Sequence, residues 1–343
     1  MNISASAPAV NSQRSTSFES MLKGGKAGED KCVLFNVCFN KDTMSVSFSP
    51  QAVMPIKSYE SNPQIIDIRQ IKETLNGSDE VTIENVMCGS SSSIILEFPD
   101  GEEGGICVRR DKEAPRHNGA LGDLGGIINT FDPLESAVRE AIEEVIIVDS
   151  KTSAVIPQFS EMPWSAYNGM IEERVSSLSA EFGITDVHFT NAEILPIKEP
   201  IYFNGREDLP ISVGLANRMP DEPLTMVSVF APPLRLRIER DSFSLWDTLG
   251  LETKGKARRR SVALVYTTGG VAEYDPVKVK EHSDFNPYVK EKFNGELKVC
   301  PTLATIFQLI GFENHPISKQ NHTLTLSELI RSDRVLQHDI RPS

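Results

Sequence analysis

Between residues 31 and 50, apolar positions alternate with polar ones: Val33, Phe35, Val37 and Phe39, then Met44, Val46 and Phe48. A period of two is what a half-buried strand imposes, so the pattern predicts two strands and a small β-rich unit over residues 31–90. A serine run at 90–93 follows. Residues 94–98 and 106–110 then flank Pro99-Asp100-Gly101, turn chemistry that predicts a hairpin. Residues 119–126 are rich in glycine and lead into the best-marked helix of the chain. Asp132 suits the N-cap, Pro133 the first helical position, and Glu135 completes a D-x-x-E variant of the capping box. Leu134, Val138, Ala141, Ile142 and Val145 recur at helical spacing and supply one apolar stripe. Residues 137–144 are also mostly strong helix formers.

Farther on, residues 169–182 read as a second, more polar helix. Strand-like segments follow at 187–195, 211–215, 224–230 and 261–266, with proline-rich connections. Residues 302–310 read as a late amphipathic helix and 326–336 as a terminal one, and there is no internal repeat. The first thirty residues are rich in Ser, Ala, Gly and Asn, with Arg14 but no acid before Glu19, and show no apolar periodicity. They read as a disordered tail. Without an apolar h-region this is not a secretory signal of the usual kind, although it resembles type III export leaders and organellar transit peptides.

A chain of 343 residues can bury one large elaborated core or two modest ones. Its 35 basic against 48 acidic side chains leave a net charge of −13. That balance argues against sequence-independent nucleic-acid binding or attachment to an anionic membrane, both of which need excess Lys and Arg. No apolar run reaches the roughly 18 to 20 residues that span a bilayer, so no membrane partner is expected. The five cysteines are widely spaced and contain no CxxC pair. They fit a reducing, cytoplasmic setting, with thiols serving as small core residues.

The candidate chemistry lies on the Asp132 helix, in Arg139-Glu140-Ala141-Ile142-Glu143-Glu144 behind Gly125-Gly126. Glu140, Glu143 and Glu144 stand at i, i+3 and i+4 and so project from one side of a helix. Like charges this close weaken a helix unless cations compensate, and Arg139, four residues before Glu143, neutralises only part of them. Hard cations such as Mg²⁺ take oxygen ligands and commonly bind phosphates as well, so the cluster points to phosphate chemistry. The plainer alternative is a solvated acidic face.

Gly125, then Arg139-Glu140 fourteen residues later, then an aliphatic position and Glu143-Glu144, resembles the Nudix box, G-x5-E-x7-R-E-U-x-E-E-x-G-U with U aliphatic. The resemblance covers residues 125–147 closely. Phe131 stands where the pattern has its first Glu, and Ile146 where it has a Gly; Asp123, Asp132 or Glu135 are candidates to replace the missing carboxylate, and the helix must exit without a glycine.

The resemblance implies a Nudix-type α/β/α sandwich with a mixed sheet, here over residues 91–315 with a long insertion after the box helix. The small β-rich unit (31–90) would precede it and a helical extension (316–343) follow. It further implies hydrolysis of a nucleoside diphosphate-linked small molecule. Glu140, Glu143 and Glu144 would hold Mg²⁺ or Mn²⁺, with the Gly125 carbonyl completing the shell and Arg139 orienting the carboxylates. Glu140, Glu207, Glu252 and Glu273 are all candidate general bases. Arg109 and Arg110, on the strand entering the glycine-rich loop, are candidate phosphate contacts; alternation puts them on opposite faces, so at most one points into a site. The basic cluster 254–260 and His117 are further candidates. Capped RNA belongs to the same chemical class without being singled out, and oligomeric state has no signal. The competing class of function is a catalytically silent module that keeps the fold and binds nucleotide.

Overall fold

The computed structural model describes residues 31–110, 117, 119–149, 154–182, 187–217, 222–239, 242–247, 261–267, 270–273 and 298–331. The tail at 1–30, the basic cluster at 254–260, Glu252 and residues 332–336 of the expected terminal helix lie outside them. The architecture is mixed α/β, with two large sheets and few helices. In chain order the first elements are β1 (Lys31–Asn40), β2 (Ser45–Pro55), α1 (Ile56–Ser61), α2 (Ile68–Gly77), β3 (Glu80–Ser92), β4 (Ile94–Glu97) and β5 (Glu103–Arg110). Then come β6 (Leu121–Gly122), β7 (Leu124–Ile127), α3 (Pro133–Glu144), β8 (Val145–Asp149), β9 (Ala154–Phe159), α4 (Asn168–Phe182) and β10 (His188–Ile194). The remainder is β11 (Ile201–Phe203), β12 (Pro210–Ala216), β13 (Met226–Phe230), β14 (Leu234–Arg237), β15 (Phe243–Asp247), β16 (Ser261–Thr267), β17 (Gly270–Glu273), α5 (Pro301–Leu309), β18 (Leu324–Thr325) and α6 (Leu326–Arg331).

Six strands close a barrel in the order β1-β2-β11-β12-β13-β3 and back to β1. The period-two residues Val33, Phe35, Val37 and Phe39 are almost wholly buried and share a core with Val86, Cys88, Val213 and Val229. Burying each such side chain contributes roughly 1.5–3 kcal/mol relative to leaving it exposed. The strands of residues 31–92 therefore close one barrel with strands of 201–230. The segment 56–77, between β2 and β3, holds two short helices that the strand pattern on either side does not announce. Asp67 caps α2 by accepting from the Arg69 amide at 2.8 Å, and Ile71 and Leu75 turn inward.

β3 does not stop at the barrel. Only Ser93 separates it from β4, and β13 is likewise followed closely by β14; β13 runs parallel to β3, and β14 to β4. The Ala231 amide donates to the Ser91 carbonyl at 2.9 Å and the Leu234 amide to the Ser93 carbonyl at 3.0 Å, so the pairing is carried across the junction. β4 and β14 lie inside the second sheet, β15-β8-β9-β10-β14-β4-β5-β16-β17, with β6 paired to β5. The expected hairpin is β4 and β5, with Gly101 at φ +81° in its turn, a conformation glycine adopts at little cost.

Near the end of the described chain, His322 bridges Gln308 on α5 (3.2 Å) and Glu328 on α6 (2.9 Å), while Glu328 also accepts from the amide and hydroxyl of Thr325. The bond to Glu328 holds His322 above its ordinary value of 6.5. Burial pushes Glu328 up, but His322 and Thr325 together bring it below its ordinary 4.5. A raised histidine contributes stability below its unfolded pKa and loses it as pH rises through the folded one; a lowered carboxylate contributes above its unfolded pKa and loses it as pH falls through the folded one. The pair is therefore worth most between those two ordinary values. His322→Ala should cost more at pH 5.5 than at pH 8.5, by a fraction of a kcal/mol up to about 1 given its exposure, as read from urea unfolding at both pH values.

Candidate functional site

The glycine-rich segment runs through β6 and β7. Leu121 is fully buried; its amide donates to the Lys298 carbonyl at 2.9 Å, and its carbonyl accepts from the Cys300 amide at 2.7 Å. Asp123 follows, and its carboxylate accepts a hydrogen bond from the Thr302 hydroxyl at the start of α5. β7 then pairs antiparallel with the second half of β3, setting Gly125 opposite Ser91 and Gly126 opposite Ser90.

The two glycines are required for different reasons. A Cβ at Gly125 would lie 2.1 Å from the Ser90 carbonyl oxygen, which is backbone and cannot give way. A Cβ at Gly126 would lie 2.5–2.7 Å from the carboxylate atoms of Glu140. The Glu140 head group thus rests directly on the Gly126 backbone.

Helix α3 is built as its sequence indicates. Asp132 accepts from the amides of Leu134 (2.9 Å) and Glu135 (3.4 Å), satisfying donors that a helix start leaves open. Its other carboxylate oxygen accepts from the Tyr167 hydroxyl at 3.1 Å, and burial followed by the nearby Asp132 charge keeps that phenol protonated far above its usual range. Leu134, Ala137, Val138, Ala141 and Ile142 are buried in the main core. The helix ends without a glycine. Val145 is already extended (φ −139°, ψ 128°), so the chain passes straight into β8 and Ile146 becomes a strand residue.

Arg139 and Glu135 pair at 2.6 Å, with Glu on the N-terminal side at i, i+4, the better orientation on a helix. Glu135, not the position held by Phe131, is the carboxylate that receives the arginine. Glu140 and Glu143 are half-buried and Glu144 is 8% exposed. All three sit in the C-terminal half of α3, whose last turn carries no basic residue. Negative charge at a helix C-terminus opposes the macrodipole by about 0.3–1 kcal/mol each.

As ligands, the three carboxylates and the Gly125 carbonyl form an oxygen-only set, which in kind fits a hard divalent cation. Among the described residues no group of three or more His, Cys, Asp and Glu side chains is gathered as a metal cage, and Glu140 is turned onto Gly126. Arg109 and Arg110 lie on β5, with Arg109 opposite Leu121 of β6, so their strand does lead toward the glycine-rich segment. Glu207 is exposed in the β11–β12 turn, and Glu273 is the last residue of β17.

Beside β7 opens a cleft of about 220 Å³, bordered by Gly89, Ser91, Asp123, Met226, Ser228 and Thr302 among others, with His117 also on its edge. Gly125 and Gly126 line it too, so it adjoins the strand on which Glu140 rests. Apart from His117, Asp123 and the two glycines, the sequence offered no motif for these residues. The cue, in retrospect, is Gly89 followed by a serine run in a strand. Four described cysteines (Cys32, Cys88, Cys107, Cys300) are buried free thiols, as small core residues would be. Comparison with protein-family models, with curated proteins and with solved structures found no match to this chain.

Because backbone blocks a side chain at 125 and only a movable carboxylate blocks one at 126, the two substitutions should differ. Gly125→Ala should destabilise by about 3 kcal/mol or more. Gly126→Ala should cost about 1 kcal/mol, and that cost should vanish in a Glu140→Ala background, a coupling measurable by a double-mutant cycle of urea unfolding.

Proposed function

We propose that the chain is a metal-dependent hydrolase that cleaves the diphosphate bond of a nucleoside diphosphate derivative, built on a Nudix-type loop-helix-loop. The observation that carries this reading is the seating of Glu140 on Gly126, which sets the glycine strand and the carboxylate helix in direct contact. We further propose that β3 and β7, with α3 on one face and the first turn of α5 bordering the other, correspond to the core of the family's α/β/α sandwich, here elaborated by the barrel.

Glu140, Glu143 and Glu144 with the Gly125 carbonyl would hold Mg²⁺ or Mn²⁺. Such a cation, when bound, polarises a phosphoryl oxygen and lowers the pKa of a coordinated water. The chain's own residues do the rest. Glu135 anchors Arg139, the Asp132 cap and Tyr167 fix the start of the helix, and the uninterrupted passage into β8 fixes its end. Gly126 holds the Glu140 carboxylate against the backbone, where it can accept a proton from an attacking water.

The test is turnover by the full chain with Mg²⁺ or Mn²⁺ on ADP-ribose, NAD, dinucleoside polyphosphates, nucleotide sugars and capped RNA, followed by ³¹P NMR. At least one should be cleaved, with loss on chelation and a fall of about 10² or more in kcat for Glu144→Gln. Cleavage of none, or cleavage indifferent to that substitution, would overturn the proposal, and tight binding without turnover would assign the chain to the silent-module class.

A further inference from the structure

Strand register places the cleft on the face of the barrel wall turned away from α3. Gly126 and Ser90 are opposite one another and face the helix, where the Glu140 carboxylate sits; Gly89, Ser91, Gly125 and Ile127 therefore face the other way. Ser228 of β13 is registered with Gly89 and shares that side. Ser91 and Ser228 are only 4% and 1% exposed, and no described residue hydrogen-bonds either hydroxyl. Both border the cleft.

The glycines of this face are of two kinds. Gly125 is demanded by the backbone of β3. Among the described residues nothing demands glycine at 89 or 122. A Cβ at Gly89 would meet the Met226 sulfur at 3.4 Å, and one at Gly122 would meet Cys300 Sγ at 3.6 Å, both ordinary contacts, and neither glycine has positive φ. Glycine inside a strand costs roughly 0.5–1 kcal/mol against alanine, and close approach of a ligand to the backbone is one reason a strand keeps it.

We propose that this cleft is where the chain recognises the nucleoside portion of its ligand, the base lying against the Met226 thioether where it meets Gly89, with Ser91 and Ser228 bonding its edge. Three observations select that class. Gly89 adds no side chain of its own beside Met226, and methionine sulfur packs favourably against aromatic systems. The polar rim mixes groups that donate and accept (Ser91, Ser228, Asn217) with an acceptor (Asp123), as the mixed edge of a heterocyclic base requires. No described lining residue is Lys or Arg, which suits the uncharged part of a nucleotide. The inference rests on the hydrolase reading for the diphosphate, but it makes its own claim about specificity.

Adenosine, guanosine, cytidine and uridine 5′-monophosphates are titrated into the full chain by calorimetry, with EDTA present so that metal plays no part. At least one should bind. Gly89→Ala and Ser228→Ala should each weaken it about five- to tenfold, the first without lowering Tm, since its methyl fits the protein and obstructs only the ligand. Binding of none of the four, or binding by both variants as tight as by the parent, overturns the inference. Binding that follows the variants without turnover on the earlier panel leaves it standing while the hydrolase reading fails. Turnover with a KM unchanged by Gly89→Ala sinks it while that reading survives.

Discussion

The second half of β3 has no free edge, and the geometry of the candidate site follows from that. β13 hydrogen-bonds one side of residues 87–91 in parallel register, while β7 takes the other side of residues 89–92 where β1 has ended. β7 can lie there only because residue 125 is glycine, since the Ser90 carbonyl occupies the space a side chain would need. Once β7 is fixed, Gly126 is fixed, and so is the surface on which Glu140 rests. β3 continues into β4, so the same strand locks the barrel to the second sheet, in which α3 ends as β8. Both ends of the acidic helix are thus tied to one backbone frame, the start through the Asp132 cap and Tyr167, the end through β8.

Local chemistry was legible wherever one residue's role depended on its near neighbours. Asp132, Pro133 and the apolar stripe announce α3 almost to the residue, because capping and periodicity act within a few turns. Pro99-Asp100-Gly101 likewise announces the β4–β5 hairpin, and the alternation at 33–39 announces β1. The helical character of 168–182 and 301–309 was equally readable. What failed to show was anything decided by distant pairing. Ser90, Ser91 and Ser92 carry no apolar pattern, yet they lie in β3 at 2–4% exposure. Their small side chains fit where β7, α3 and β13 close in, and no local signal carries that information. The barrel itself is invisible for the same reason, its closure resting on parallel pairs of β2 with β11 and of β3 with β13. The site was half legible: the carboxylates and Gly125-Gly126 stand out as a motif, whereas Gly89, Met226 and Ser228 come together only through sheet register.

The charge pattern of α3 runs against the usual economy of a helix. Its first turn has a favourable acid in Glu135 and a good cap, so its N-terminus obeys local rules. Its C-terminus does the opposite, gathering Glu140, Glu143 and Glu144 with no basic residue in the last turn. Arg139, the only nearby cation on the helix, is spent on Glu135. Lys or Arg at these positions would complement the macrodipole that the glutamates oppose. Places where sequence defies local preference inside an otherwise consistent element are where function is most economically sought.

Glycine usage separates folding from recognition on this one sheet. At Gly125 and Gly214 a Cβ would strike backbone or packed side chains, the Ser90 carbonyl in one case and Thr323 and Phe230 in the other, so the fold itself excludes larger residues. At Gly126 the obstacle is a carboxylate that can swing aside, so the glycine preserves a side-chain position more than a backbone path. At Gly89 a Cβ would make only ordinary contacts, the nearest with the Met226 sulfur at 3.4 Å. These three degrees of constraint run across adjacent strands within a few residues, from structural necessity, through the positioning of a charged group, to a site where a methyl would be tolerated. The Ser91 and Ser228 side chains beside Gly89 extend the same gradient, small polar groups almost wholly buried at the border of the cleft.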